Sequence, residues 1–150
     1  MVQLIKTELI ELDLKATERE SAILELIQLL DNEGYLLSKE EFHQDVMKRE
    51  ELGNTAVGFG VAIPHGKSKA VKEAAIVFGR SQTGVDWNSF DGSLVNTVFL
   101  LAVPGLEASD QHLRILALLS RALINDEFRE ALSAAQTSEE VLQILEGVTQ

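Results

Sequence analysis

The sequence predicts an α/β fold, a single-domain sandwich over residues 1–150 in which helices flank both faces of a mixed β-sheet. Three observations predict it. Segments of helical period alternate with strand-like segments along the chain. Two apolar runs, Ala74–Phe78 and Val95–Val103, lack the polar–apolar alternation of a half-exposed strand and read as strands buried on both sides. The chain has 150 residues and 45% hydrophobic content, which suits one core of ordinary size.

Taken in order, Leu9–Leu14 alternates apolar and polar residues and reads as the first strand. Thr17 and Glu20 form a capping box that opens a helix, with Ile23, Leu24, Ile27 and Leu30 at helical spacing and Gly34 as its stop. Ser38 and Glu41 repeat the arrangement for a second helix through Phe42, Val46 and Met47, ending near Gly53 with Arg49 in its last turn. Asn54 to Gly60 then predicts a turn and a short strand, and Val61–Ile63 a strand that Pro64 ends. A histidine loop follows, carrying His65. Between the two buried strands, Gly84–Trp87 reads as a loop and Asp91-Gly92 as a turn, with Trp87 a core or rim anchor. Pro104 and Gly105 close the last strand. Ser109-Asp110 caps a helix bearing His112 in its first turn and Leu113, Leu116, Ala117 and Ile124 as apolar residues. A short helix through Phe128 and Leu132 precedes a final one, capped by Thr137 with Glu140 and ending at Gly147.

Composition narrows the function. A formal charge of −11 opposes nucleic-acid binding, which needs a basic surface, and makes a basic or apolar partner surface the expectation. The absence of cysteine removes disulfides, thiolate chemistry and cysteine-based zinc sites, and three scattered histidines give poor metal-ligand spacing, so neither a metal nor a cofactor is expected. No apolar run has the roughly 18 residues that would cross a bilayer, and the N-terminus has no leader pattern. The chain reads as soluble and unprocessed.

Three chemistries compete for the stretch Gly58–Ser68. Gly66-Lys67-Ser68 looks like the end of a phosphate-binding loop, but Gly60 and Gly66 enclose five residues where that loop needs four, and Pro64 removes a backbone N–H. Hydrolysis with His65 as base lacks a marked nucleophile. The third chemistry makes the imidazole itself the nucleophile: a neutral ring has one nitrogen with a free lone pair, able to attack phosphorus and hold a phosphoryl group. Its helpers would be a guanidinium, a second imidazole N–H and helix N-terminal amides, and Arg49, His112 and the amides after Asp110 are of those kinds. Plainer readings stand beside these. His65 and His112 can be surface histidines, Arg49 a charge complementing a helix C-terminus, and His43, among Glu40, Glu41 and Asp45, a solvated side chain.

The residues Lys48-Arg49-Glu50, Gly58-Phe59-Gly60-Val61-Ala62-Ile63-Pro64-His65-Gly66-Lys67, Asp91-Gly92, Val98–Pro104 and Ser109-Asp110-Gln111-His112-Leu113 resemble the IIA components of the bacterial phosphoenolpyruvate-dependent sugar phosphotransferase system, fructose–mannitol type (EIIA type 2). The resemblance covers nearly the whole chain. It implies an α/β sandwich and a phosphotransferase component working through a phosphohistidine. His65 would accept the phosphoryl group from phospho-HPr on its tele nitrogen and pass it to a cysteine of the IIB component, while Arg49 and His112 hold the group. It also implies a cytoplasmic IIA polypeptide or domain, contacting the membrane only through IIB and IIC. Gly66 would leave space for the phosphoryl group and its partners, and Phe59 and Val61 would form an apolar rim. Asp91-Gly92 and Ala102-Val103-Pro104 look closer to fructose-type members. A related regulatory class, the nitrogen-regulatory IIA proteins, keeps the same histidine site and acts by phosphorylation-dependent protein binding.

Overall fold

The structure is a computed structural model and describes residues 4–105 and 110–149, the side chains of 110–113 and 149 excepted. The chain divides into two compact units, Met1–Glu107 and Ala108–Gln150.

In the first unit, six strands form one mixed sheet among the described residues: β1 (Ile10–Glu11), β2 (Ala56–Gly58), β3 (Val61–Ala62), β4 (His65–Ser68), β5 (Ala75–Val85) and β6 (Val95–Pro104). The order is β1-β5-β6-β3-β2, with β4 also pairing β6. β5 and β6 run antiparallel, placing Phe78 opposite Phe99, whereas β3 and β4 both run parallel to β6. Every residue of β6 from Thr97 to Ala102 is buried. Since successive side chains point to opposite faces, both faces of the strand are covered, which is why its sequence is a continuous apolar run.

Two helices of this unit, α1 (Arg19–Asn32) and α2 (Lys39–Leu52), pack on one face. Ala22, Ile23, Leu26, Ile27 and Leu30 of α1 and Phe42 and Val46 of α2 share a core cluster with Val77, Val98, Leu100 and Ala102. On the opposite face Phe78 and Phe99 meet edge to face at 5.3 Å. Such a pair contributes about 0.5–1.5 kcal/mol beyond its buried area. Gly34 stops α1 as expected: it adopts φ +78°, and Tyr35 N–H reaches Leu30 O while Gly34 N–H reaches Asp31 O, the two bonds of a Schellman end. Ser38 Oγ caps α2 by accepting from Glu41 N–H.

Several sequence expectations change here. The first strand shrinks to two residues after a 3-10 turn at Thr7–Leu9, because Leu9 turns inward and is fully buried. Thr17 does not cap α1. Its carbonyl accepts from Asp86 N–H, and the helix starts at Arg19 without a side-chain cap. β5 runs on through Gly84-Val85, where a loop was expected, with a register shift after Arg80 that lets Val85 still face Val95. Trp87 is a core anchor, fully buried. The Asp91-Gly92 turn forms, with Gly92 at φ +76° and its N–H on Ser89 O. Ser93 bonds Asp91 Oδ1 with both its backbone N–H and its hydroxyl, which holds that carboxyl below its ordinary value.

The second unit holds α3 (Asp110–Ala122), α4 (Asp126–Ala134) and α5 (Ser138–Thr149), with α5 packed on both others. Ile115 and Leu119 of α3 and Val141 and Leu145 of α5 are buried at four-residue spacing, which gives each helix an apolar stripe. Asn125 caps α4 through Glu127 and Phe128 N–H, and Thr137 caps α5 through Glu140 N–H. Ile124 lies past the end of α3 and is exposed, because the chain turns there, with Asn125 N–H bonding Ala122 O. Gly147 sits inside α5, where the helix runs on to Thr149. The expected cap at Ser109 lies outside the described residues. Among the described residues no helix is long and apolar enough to cross a membrane.

α2 packs tightly onto the sheet at Gly66, where a Cβ would stand 2.8 Å from Val46 Cγ2 and 3.1 Å from Phe42 Cε1. The space that the sequence assigns to a phosphoryl group is filled by α2. Val46 is β-branched and cannot swing aside. Gly66→Ala is therefore expected to destabilise the protein by about 1–3 kcal/mol in urea unfolding, and an unchanged midpoint would contradict this packing.

Candidate functional site

His65 lies on a strand and not in a loop. Pro64 interrupts pairing without ending it: its carbonyl accepts from Leu101 N–H at 3.0 Å, and the parallel register resumes with His65 opposite Leu101 and continues to Ser68 opposite Pro104. Strand alternation sends Gly66 and Ser68, both buried, toward α2, and His65 and Lys67 toward the other face, where His65 is half-buried and Lys67 exposed.

The imidazole is held from its own backbone. Its Nδ1 stands 2.9 Å from Ile63 O. A carbonyl can only accept, so this bond places the hydrogen on Nδ1 and leaves Nε2 with the lone pair in the neutral ring. Ile63 is itself anchored, its N–H donating to Thr55 O at 3.0 Å. Thr55 in turn donates its N–H to Glu50 Oε2 at 3.3 Å and its hydroxyl to Glu50 Oε1. The Glu50 residue is only 3% exposed, and Arg19 Nη1 lies 3.7 Å from Oε2. A buried carboxylate is costly unless hydrogen-bonded and paired, and these contacts provide both.

At the tip of the β2–β3 hairpin, Gly58, Phe59 and Gly60 take φ of +94°, +59° and +74°. Gly60 O accepts from Asn96 and Thr97 N–H, and a Cβ on Gly60 would meet the Asn96 side chain at 3.2 Å. Phe59 is 60% exposed, but Val61, expected beside it on an apolar rim, is buried at 2% because it faces the core opposite Thr97.

Arg49 occupies the last turn of α2, one turn beyond Val46, and its Nη1 donates to Gly53 O at 2.8 Å. That contact is the helix-end role of a C-terminal cation, and it uses one of the five guanidinium donors. His112 falls in the first turn of α3, as expected, in the second unit, and its side chain lies outside the described residues. Among the described contacts His65 is tied to Ile63 and Arg49 to Gly53. His43 is not simply solvated: its Nε2 lies 3.2 Å from Glu20 Oε2, joining α2 to α1. The sequence reading also passed over Glu50, Thr55 and the Ile63 carbonyl as parts of the site. Glu50 carried a signal, since a carboxylate in a helix's last turn opposes the macrodipole and calls for a partner. The carbonyl carried none, because any residue supplies one.

Comparison with known proteins identifies the family. Residues 3–148 match the family described as phosphoenolpyruvate-dependent sugar phosphotransferase system, EIIA 2. The chain belongs to that family. It is 41% identical over 136 residues to the 2-O-alpha-mannosyl-D-glycerate-specific EIIABC component of Escherichia coli, covering 90% of this chain and 21% of that protein. To the fructose-specific EIIA component of Haloferax volcanii it is 34% identical, covering 95% of this chain and 92% of the relative. Among solved structures, the nitrogen regulatory protein IIA-Ntr of Neisseria meningitidis aligns with TM-score 0.87 at 34% identity, over 95% of this chain and 96% of that one. The E. coli enzyme IIAMtl, solved in complex with phosphorylated enzyme IIBMtl, aligns with TM-score 0.79 at 28% identity, over 95% and 97%. The chain spans 21% and 23% of the length of two EIIABC relatives, from E. coli and Bacillus subtilis.

The tautomer is open to direct measurement. In long-range 1H–15N spectra at alkaline pH, the neutral His65 ring is expected to give the Nδ1–H pattern, and an Nε2–H pattern would show that the Ile63 bond does not form in solution.

Proposed function

We propose that the chain, residues 1–150 acting as one IIA domain, is a phosphoryl carrier of a sugar phosphotransferase system with His65 as the acceptor. The observation that carries this reading is the Nδ1–H bond to Ile63 O, which leaves Nε2 as the nucleophile on a rigid strand. In the first step the Nε2 lone pair attacks the phosphorus of phospho-HPr. The Nε2–P bond forms as the donor's bond to phosphorus breaks and the donor keeps that electron pair. In the second step the acceptor group of IIB attacks the same phosphorus and Nε2 regains its pair. The Nδ1 hydrogen stays in place throughout. Arg49, with donors beyond the one on Gly53, and His112 neutralise charge on the transferred oxygens.

Family membership supports the relay. The IIB partner is supported by the IIAMtl structure with phosphorylated IIBMtl and by relatives named EIIABC. IIC then enters only through IIB, and the chain works in the cytoplasm. Fructose-type transport is supported by the Haloferax relative's name. A second reading, regulation by phosphorylation-dependent protein binding, is favoured by the similarity to IIA-Ntr. The two readings separate when phosphorylated chain is mixed with a fructose-type IIB: a transport IIA gives up its label, and a regulatory one retains it.

His65→Ala is expected to keep its fold and take no acid-labile label from phospho-HPr, and normal labelling would sink the proposal. Arg49→Ala is expected to be labelled roughly a hundredfold more slowly, the loss typical of removing one charge-stabilising donor. An unchanged rate would remove Arg49 from the site.

A further inference from the structure

Beyond the acceptor itself, we infer that Glu50 is a positioning residue whose buried carboxylate sets the aim of the Ile63 carbonyl and thereby the tautomer of the His65 ring. The inference rests on the carrier reading only for its effect on transfer rate. Three consecutive hydrogen-bonded links connect the two residues. Thr55 N–H and hydroxyl donate to Glu50, Ile63 N–H donates to Thr55 O, and His65 Nδ1–H donates to Ile63 O.

The Glu50 carboxylate is built for this direction of influence. Arg19, its cation, stands 3.7 Å away, whereas both of its close donors among the described residues come from Thr55. Two donors from a single residue fix that residue's position and not merely its presence. Pro64 stiffens the next link, because a residue preceding proline is restricted to extended backbone, which narrows the range over which the Ile63 carbonyl can turn relative to its anchored N–H. Glu50 also follows Arg49 directly in α2, so the same turn of helix that presents the guanidinium holds the segment carrying the imidazole. A group that fixes a histidine's donating nitrogen selects which nitrogen is left to react.

The test reads tautomer and transfer separately in the intact chain. Glu50→Gln keeps the side chain's size but removes the charge and replaces one of the two oxygens that accept from Thr55 by an NH2 donor. It is expected to convert the neutral His65 ring from the Nδ1–H form to a mixture of tautomers in 1H–15N spectra, and to slow labelling by phospho-HPr roughly tenfold to a hundredfold. Thr55→Val, which removes only the hydroxyl, is expected to act in the same direction and decides the matter where Glu50→Gln fails to fold. An unchanged Nδ1–H tautomer in the folded variant overturns the inference, whether or not the rate falls, since a fall alone would mark a merely structural residue. If the wild-type chain takes no label at all, the carrier reading fails, while the tautomer measurement still decides the role of Glu50.

Discussion

Along one edge, β6 holds two consecutive segments in parallel register, Val61–Ala62 on Thr97–Val98 and His65–Ser68 on Leu101–Pro104, with Ile63 and Pro64 spanning the gap between them. The site depends on this pairing. It makes the direction of the His65 side chain a property of the sheet, and β6 itself cannot shift, being buried on both faces and paired with β5 along its other edge. Proline, which lacks the N–H a ladder uses, can sit in the gap because its carbonyl is the group that Leu101 requires.

On this scaffold the chemistry is arranged with few charged groups. The ring is oriented by a backbone carbonyl, which brings no formal charge beside the nitrogen proposed to receive the phosphoryl group. Glu50, a buried carboxylate, lies three hydrogen-bonded links away, where Thr55 hydrogen-bonds it and Arg19 pairs with it. Lys67 is on the same face as His65, two residues along the strand, and adds positive potential there. The packing follows the same economy: the glycine after the histidine is needed because α2 presses on the sheet at that point, and a side chain there would push Val46 and the helix bearing Arg49 outward.

Much of this was legible in the sequence, for identifiable reasons. The buried strands were visible as continuous apolar runs, the ends of α1 and α2 as glycines, and the caps of α2 and α5 through the short polar residues that open them. The histidine stood out through Ile63-Pro64-His65-Gly66. What the sequence hid were properties that only tertiary partners determine. Thr17 has every mark of a cap, yet its backbone is drawn into pairing with Asp86. Gly84 signals a loop, yet β5 continues through it, with Leu94 packed so closely over the glycine that a Cβ would stand 2.8 Å from it. Pro64 reads as a strand end because proline lacks a donor, and the structure uses its acceptor. Gly66 reads as space for a ligand, when the space belongs to α2.

The central claim is that the strand and the Ile63 carbonyl leave one ring nitrogen, Nε2 of His65, to receive phosphorus. The most direct measurement is to phosphorylate 15N-labelled protein with phosphoenolpyruvate, enzyme I and HPr and locate the phosphorus by its coupling to ring nitrogens. The account predicts one phosphorylated residue, His65, with phosphorus coupled to Nε2 and Nδ1 still protonated. Coupling to Nδ1, or phosphorus on any other residue, would contradict it.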